Sequence, residues 1–280
     1  MNLFEIIDEI EKVDPEIHER LNPRRAAIKN ITSFGSKVAV AAMPFALGTL
    51  FKKAYGQTAT PSVFDVLNYA LTLEYLEAEY YNVGTSRGVI PAANSAYMAN
   101  IARDENNHVN FLRTVINSSG GTAISKPAID LSGGNGSGTG PYAGAFTNYD
   151  LFLTVAQAFE DTGVRAYKGQ AGFLAGNKTV LTAALSIHAV EARHASAIRQ
   201  LRFNRGATTT KPWIVSTASL GNDTGVAGVD GNYAGEENTV QGGVDLKSLG
   251  SIGVVTASFD EPLTKDQVLA LLSGTFLVKR

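Results

Sequence analysis

The chain has 280 residues, of which 44% are hydrophobic and 18% charged, and its formal net charge of −2 gives no electrostatic basis for binding nucleic acid. This length allows one large domain or two modest ones. Because cysteine is absent, disulfides cannot report the compartment, and a thiolate-bound iron centre within the same chain is excluded. Any electrons that a redox site uses must therefore come from an external donor.

We interpret residues 1–56 as an N-terminal segment separate from the rest of the chain. Hydrophobic residues at helical spacing over residues 3–13 predict a short amphipathic helix. Arg24-Arg25 then precedes a weakly apolar stretch over residues 31–51, a pattern typical of a twin-arginine export signal. The 23 residues before the arginines and the charge of Lys37 depart from that pattern. We predict export to the periplasm, and the alternative is a buried or surface helix of a cytoplasmic protein.

Residues 57–205 contain four predicted helices. Thr60 before Pro61 predicts the start of the first helix, and the glycines at 84 and 88 predict its end. Asn148 and Asn177 are capping residues that predict the starts of the third and fourth helices. In chain order, the predicted helices span residues 61–83, 91–116, 149–169 and 178–205.

The segment between the second and third helices is rich in glycine, and no helix is compatible with that density. One long crossover of this kind joins two antiparallel helix pairs end to end. Residues 206–280 have short apolar runs and frequent turns, and Thr264 with Gln267 predicts a last small helix through Leu272. The predicted fold is all-α, an antiparallel four-helix bundle with an irregular C-terminal extension that packs on it.

A repeated pattern of glutamate and histidine runs through the four predicted helices. Each half of the bundle has one glutamate and, 31 residues later, a Glu-x-x-His pair, and the second half follows the first at an offset of 86 residues. Residues i and i+3 share one face of a helix, so each pair can direct a carboxylate and an imidazole at one point. The predicted metal ligands are Glu74, Glu105, His108, Glu160, Glu191 and His194.

Four carboxylates and two imidazoles are the ligand set of a two-metal site inside a helix bundle. A buried cluster of four carboxylates would repel itself strongly without cations, so burial favours bound metal. Histidine and carboxylate together suit two iron or two manganese ions, with zinc as an alternative. The opposing interpretation is a bundle whose inward acids are vestigial or solvated.

Glu77 competes with Glu74 as the ligand from the first helix, because the two residues lie one turn apart. We favour Glu74, since the residue equivalent to Glu77 in the second half is Gly163. Tyr81 and Tyr167 each follow the lone glutamate of their half by seven residues, two turns along the same face. Each tyrosine either packs over the site or acts in it, by one-electron transfer or by holding a ligand in place.

Three further polar residues flank the predicted ligands. Asp104 and Asp161 adjoin ligands in the sequence but lie about 100° around the helix, which favours positions at the surface or behind the ligands. His188 precedes Glu191 by one turn, and we predict a hydrogen-bonded helix histidine, with an extra ligand as the alternative.

Several segments together give the chain a resemblance to a known family. It resembles the ferritin-like superfamily, and within it the bacterial ferritin-like proteins related to desiccation-associated proteins. The resemblance covers roughly residues 60–205 well and the C-terminal extension loosely. The segments that carry it are Leu73–Tyr81, Asp104–His108, Phe159–Asp161, Glu191–His194 and Phe259–Leu263.

This resemblance implies a dimetal-carboxylate bundle and, more distantly, a protective role in stress. The first functional hypothesis is a redox-active di-iron or di-manganese protein that acts on dioxygen or peroxide, with ferroxidase, peroxidase or catalase-like activity. The second is a non-enzymatic desiccation or envelope-stress protein whose metal site is structural or vestigial. The sequence does not determine the oligomeric state, and a homo-oligomer is one of the alternatives.

Overall fold

The computed structural model describes residues 61–207, 209–215, 224 and 227–279. The amphipathic helix and the export signal predicted for residues 1–56 lie outside the described residues. Within the described ranges, none of the helices has both the length and the hydrophobicity that crossing a bilayer requires.

Four long helices form the body of the structure: α1 (Val63–Arg87), α2 (Ala92–Ser118), α3 (Tyr149–Ala171) and α4 (Lys178–Asn204). Helix α1 packs along α2, helix α3 packs along α4, and the two pairs meet mainly through α1 and α3. Short connections within each pair make its two helices antiparallel. The predicted all-α four-helix bundle with a long crossover between its second and third helices is confirmed.

The first helix begins and ends later than the sequence predicted. Its N-cap is Ser62, not Thr60: Ser62 Oγ accepts from Asp65 N at 3.1 Å, and the Asp65 carboxylate accepts from Ser62 N at 3.0 Å. The predicted end at Gly84 is also wrong, because the helix continues to Arg87 and ends at Gly88 in the left-handed conformation with φ 70°.

Gly84 has a packing role within the helix. A Cβ at this position would lie 2.3 Å from the ring of Phe152 on α3, so only glycine allows the two helices to approach this closely. Tertiary contact therefore explains a glycine that, from sequence alone, looks like the end of a helix.

The starts of α3 and α4 agree with the predicted capping residues, and α2 begins at Ala92, one residue after the predicted start. Pro91 is the N-cap of α2, and the side chains of Asn148 and Asn177 accept hydrogen bonds from backbone N–H groups in the first turns of α3 and α4. The two asparagine caps satisfy donors that have no partner within the helix.

The crossover over residues 119–148 has an ordered path although it contains only one short 3-10 helix, Ala143–Phe146. The carboxylate of Asp130 accepts hydrogen bonds from three backbone N–H groups between residues 132 and 138. The backbone N–H of Asp130 in turn donates to the carbonyl of Phe276 at 2.8 Å. The glycine-rich loop is thus held from within and by the C-terminal extension.

The C-terminal extension consists of short elements. They are α5 (Ala227–Asp230), β1 (Val240–Gln241), β2 (Val244–Asp245), α6 (Ile252–Thr256), α7 (Lys265–Leu272) and the 3-10 helices Gly231–Tyr233 and Leu246–Ser248. Of these, α5, α7 and the first 3-10 helix pack on α3. Strands β1 and β2 form an antiparallel pair with Val240 opposite Asp245. The capping box predicted at the start of the last helix is confirmed.

One buried arginine of α3 attaches the extension to the bundle. Arg165 donates from Nε to the carbonyl of Glu261 at 2.7 Å, and its other nitrogens donate to the carbonyls of Asn232 and Ala234. The Arg165 Nε atom also lies 2.8 Å from the buried carboxylate of Glu236. The extension therefore satisfies a charge that the bundle alone would leave buried and unpaired.

The core of the described residues has two hydrophobic clusters. In the first, the rings of Tyr80 and Phe152 stack with their centroids 4.8 Å apart. The second contains Leu71, Leu112 and Ile187. On α2 and α4 the predicted ligands fall between the residues of these two clusters, so they lie at mid-height of the bundle.

Candidate metal centre

The six predicted ligands come together in the interior of the bundle. Their side chains form two groups in which the potential ligand atoms all lie within 4.8 Å of one another. The four glutamates are completely buried, and the two histidines are 8% and 7% exposed. The groups are Glu74, Glu105, His108 and Glu191, and Glu105, Glu160, Glu191 and His194.

In the first group, the carboxylates converge on one nitrogen of His108. His108 Nδ1 lies 3.1 Å from Glu74 Oε2, 3.2 Å from Glu105 Oε2 and 3.3 Å from Glu191 Oε1. These three acids come from three different helices, so the imidazole faces a point that only the folded bundle creates.

The second group has the corresponding arrangement around His194. Its Nδ1 atom lies 2.9 Å from Glu105 Oε1 and 3.3 Å from Glu160 Oε2. Glu105 and Glu191 belong to both groups, which places them between the two histidines. The two halves of the sequence therefore contribute equivalent side chains to one continuous cluster.

Two buried tyrosines connect the halves. Tyr81 on α1 donates its hydroxyl hydrogen bond to Glu160 Oε1 on α3 at 2.5 Å, and Tyr167 on α3 donates to Glu74 Oε1 on α1. Each tyrosine occupies one oxygen of the glutamate in the opposite half and leaves the second oxygen toward a histidine. Both tyrosines thus have a specific contact with the cluster in addition to their packing.

Burial and mutual repulsion shift the proton affinities of the glutamates. Burial raises the pKa of Glu74 to about 7, and burial also raises the pKa of Glu160 and Glu191. Burial acts in the same direction on Glu105, but the hydrogen bond from His108 and the close, positively charged imidazole of His194 outweigh it and lower its pKa to about 2.

The pKa values of both histidines are also raised. Although burial disfavours the charged imidazole, hydrogen bonds to carboxylates and their negative charge raise the pKa of His108, and the negative charge and close approach of Glu160 and Glu105 raise that of His194 to about 11. The cluster without metal therefore attracts protons to three of its four acids and to both imidazoles. Such a cavity also attracts cations.

Several buried atoms of the cluster have no hydrogen-bond partner among the described residues: Glu105 Oε1, Glu160 Oε2, both Glu191 oxygens and His194 Nδ1. Some of them approach each other closely enough for an ion pair, but not in hydrogen-bond geometry. Unpaired buried carboxylate oxygens are costly. Coordination to metal ions would satisfy these atoms, and carboxylate with imidazole is a donor set that iron, manganese and zinc accept.

Glu77 lies beside the cluster although sequence reasoning treated it only as a competitor of Glu74. It is 4% exposed, and burial together with the charges of Glu191 and Glu105 raises its pKa. A Cβ at Gly163 would lie 2.8 Å from Glu191 Oε2 and 3.2 Å from Glu77 Oε1. The absence of a side chain at position 163 therefore leaves the space that these two carboxylates occupy.

Residues next to the ligands have the supporting positions that their helical angle suggested. Asp104 Oδ2 lies 3.5 Å from His194 Nε2, behind the imidazole ring. Asp161 is fully buried, with its carboxylate bound by Arg199 and by the hydroxyl of Tyr233 at 2.6 Å. His188 belongs to neither of the two groups found among the described residues.

The comparison with protein families covers the same part of the chain. The model of the ferritin-like domain family matches residues 62–204, a range that contains all four long helices and all six predicted ligands. No curated protein matches the chain. The matched range spans half of the sequence, and this chain belongs to the ferritin-like domain family.

Proposed function

We propose that this protein binds two iron or two manganese ions and uses them in redox chemistry with dioxygen or peroxide. The observation that carries this proposal is the convergence of two equivalent sets of ligands on one fully buried cluster with unpaired carboxylate oxygens. Zinc suits the same donors, but it has no redox chemistry of its own.

The two groups of side chains suggest how the ligands divide between the ions. Glu74 and His108 would serve one ion, and Glu160 and His194 would serve the other. The two glutamates common to both groups, Glu105 and Glu191, would be shared between the ions. When bound, an iron or manganese pair supplies the change of oxidation state that reduction of dioxygen or peroxide requires, and ferroxidase, peroxidase and catalase-like activities are all compatible with it.

Residues of the protein orient the proposed ligands and exclude bulk water from them. Tyr81 and Tyr167 fix the orientation of two carboxylates, and complete burial of the acids excludes bulk water. Each histidine directs Nδ1 at the carboxylates, so binding of metal at that atom requires loss of its proton. Metal affinity is therefore expected to rise with pH as both imidazoles become neutral.

The direct test is anaerobic loading with ferrous iron followed by exposure to air or peroxide. We expect about two irons per chain, oxygen or peroxide consumption, and a transient absorbance change. The double variant Glu105→Gln/Glu191→Gln should lose both the metal and the activity. Glu79→Gln is the control, because Glu79 lies on α1, the helix of the ligand Glu74, but pairs with Lys126 at the surface at 2.9 Å.

The outcomes separate the proposal from its alternative. Tightly held metal that does not react with either oxidant would favour the non-enzymatic protein with a structural site. Failure of the wild-type chain to bind any of these metals would overturn the proposal altogether.

The remaining predictions concern properties that the geometry of the four-helix bundle does not determine. The protective role in stress, the relation to desiccation-associated proteins, the external electron donor, the homo-oligomer and the export to the periplasm stay predictions. Sequencing the N-terminus of the mature protein from its native host tests export, since a cleaved signal would place the first residue near position 57.

A further inference from the structure

A hydrophobic cavity of about 60 Å³ lies in the bundle next to the carboxylate cluster. All four long helices contribute to its wall, including Leu73 from α1, Leu112 from α2, Tyr167 from α3 and Ala184 from α4. Phe111, which is 42% exposed, also belongs to the wall. The wall of the cavity therefore extends from the interior of the bundle to its surface.

The cavity is close to the candidate metal centre. Ala70 and Leu112 line it, and each lies four residues, or about 6 Å along the helix, from a predicted ligand, Glu74 and His108 respectively. Tyr167 provides the direct connection, because it lines the cavity while its hydroxyl donates to Glu74. A molecule in the cavity would thus contact the side chain that orients a carboxylate of the cluster.

Two residues of this hydrophobic wall each have a buried polar atom with no hydrogen-bond partner among the described residues. These atoms are the hydroxyl of Tyr69 and the side-chain nitrogen of Gln170, and both side chains are 4% exposed. Burial and the charges of Glu77 and Asp266 raise the pKa of Tyr69, so its hydroxyl stays protonated and can donate. Buried donors without acceptors are costly, and a bound acceptor would remove that cost.

We propose that this cavity binds a short uncharged organic molecule with one hydrogen-bond-accepting oxygen, such as an alcohol, an aldehyde or a ketone. Its apolar part would fill the cavity, and its oxygen would accept from Tyr69 and Gln170. The volume holds about four to six groups the size of a water molecule, which sets the length of the apolar part. No lysine, arginine or histidine is among the described residues that line the cavity, so a carboxylate of the same length would be unpaired.

Binding of 2-butanone, followed by NMR titration, tests this proposal. We expect saturable binding by the wild-type protein, both metal-free and metal-loaded, and at least tenfold weaker binding of butyrate at neutral pH. The double variant Tyr69→Phe/Gln170→Leu, which keeps the shape of the wall, should bind 2-butanone about tenfold more weakly. Its occupancy by xenon, which accepts no hydrogen bond, should be unchanged.

A second variant tests the location. Ala184→Leu adds volume to the wall two turns away from Glu191, so it should abolish binding of both 2-butanone and xenon while metal content stays the same. Absence of saturable 2-butanone binding by the wild type would overturn the proposal, as would equal affinity of the double variant. Because binding is measured without turnover, an inert metal centre with intact 2-butanone binding would count against the redox function alone.

Discussion

Removal of metal should make the stability of this protein fall as pH rises through the range in which the buried glutamates lose their protons. Glu74 illustrates the reasoning. Its pKa is about 7 in the folded protein and 4.5 ordinarily, so between these values the folded chain holds a proton that the unfolded chain has released. Stability therefore declines over this window and becomes constant above it.

The size of the effect follows from the same shift. A difference between about 7 and 4.5 corresponds to about 3 kcal/mol at 1.36 kcal/mol per pKa unit, and Glu74 is completely buried, so solvent does not screen it. The raised pKa values of Glu77, Glu160 and Glu191 act in the same direction. For a protein of this size, 3 kcal/mol corresponds to about 10 °C in melting temperature.

The histidines and the remaining acid do not reverse this trend. The pKa of His194 is raised to about 11, so its contribution is fully present below 6.5 and decreases as pH rises toward 11. The pKa of Glu105 is lowered to about 2, so its stabilising contribution is present above 4.5 and lost only in acid. In the loaded protein the cations favour charged carboxylates, and stability should no longer fall with pH.

Calorimetric melting of chelator-treated and manganese-loaded protein at pH 5 and pH 7.5 measures the effect. The metal-free protein should melt at a lower temperature at pH 7.5, and Glu74→Gln should reduce that difference by removing one titrating group. Glu79→Gln should leave it unchanged. If the metal-free wild type melted at the same or a higher temperature at pH 7.5 than at pH 5, the reasoning about buried acids would be refuted.

Three further substitutions test the surroundings of the cluster. Gly163→Ala should lower metal stoichiometry with little loss of helix content, because its Cβ would lie 2.8 Å from Glu191 Oε2; elemental analysis measures this, and full loading would contradict it. Tyr167→Phe should weaken metal affinity about tenfold in a competition titration with a chelator, by freeing a carboxylate that the hydroxyl orients. Arg199→Met should lower the free energy of unfolding in urea by about 3–5 kcal/mol, since it leaves the buried charge of Asp161 without its ion-pair partner. The number of metal ions bound per chain should stay the same, because the metal ligands are intact.

The sequence was sufficient to predict the helices and the six converging side chains because both depend on local periodicity. A Glu-x-x-His pair places its two side chains on one face of a helix wherever that helix lies. The equal spacing in both halves then predicts that the faces meet at one height. The shared helix face and the common height of the ligands can therefore be predicted without knowledge of any tertiary contact.

Features that depend on contacts between distant residues were beyond local reasoning. Gly84 resembles the end of a helix until its contact with Phe152 is known. The position of Glu77 beside the cluster depends on Gly163, which lies on another helix. The difference between Thr60 and Ser62 as the cap of α1 is the exception, because the acid three residues after Ser62 is visible in the sequence.

The exchange of tyrosine contacts between α1 and α3 has a consequence for how the protein assembles. Neither helix pair can orient its own lone glutamate, because the hydroxyl that does so comes from the other pair. An isolated pair would therefore be a poor chelator even with its Glu-x-x-His intact. Association of the pairs and capture of cations should then be mutually reinforcing steps, so that a mutation that loosens the contact between the pairs would be detected first as a loss of metal.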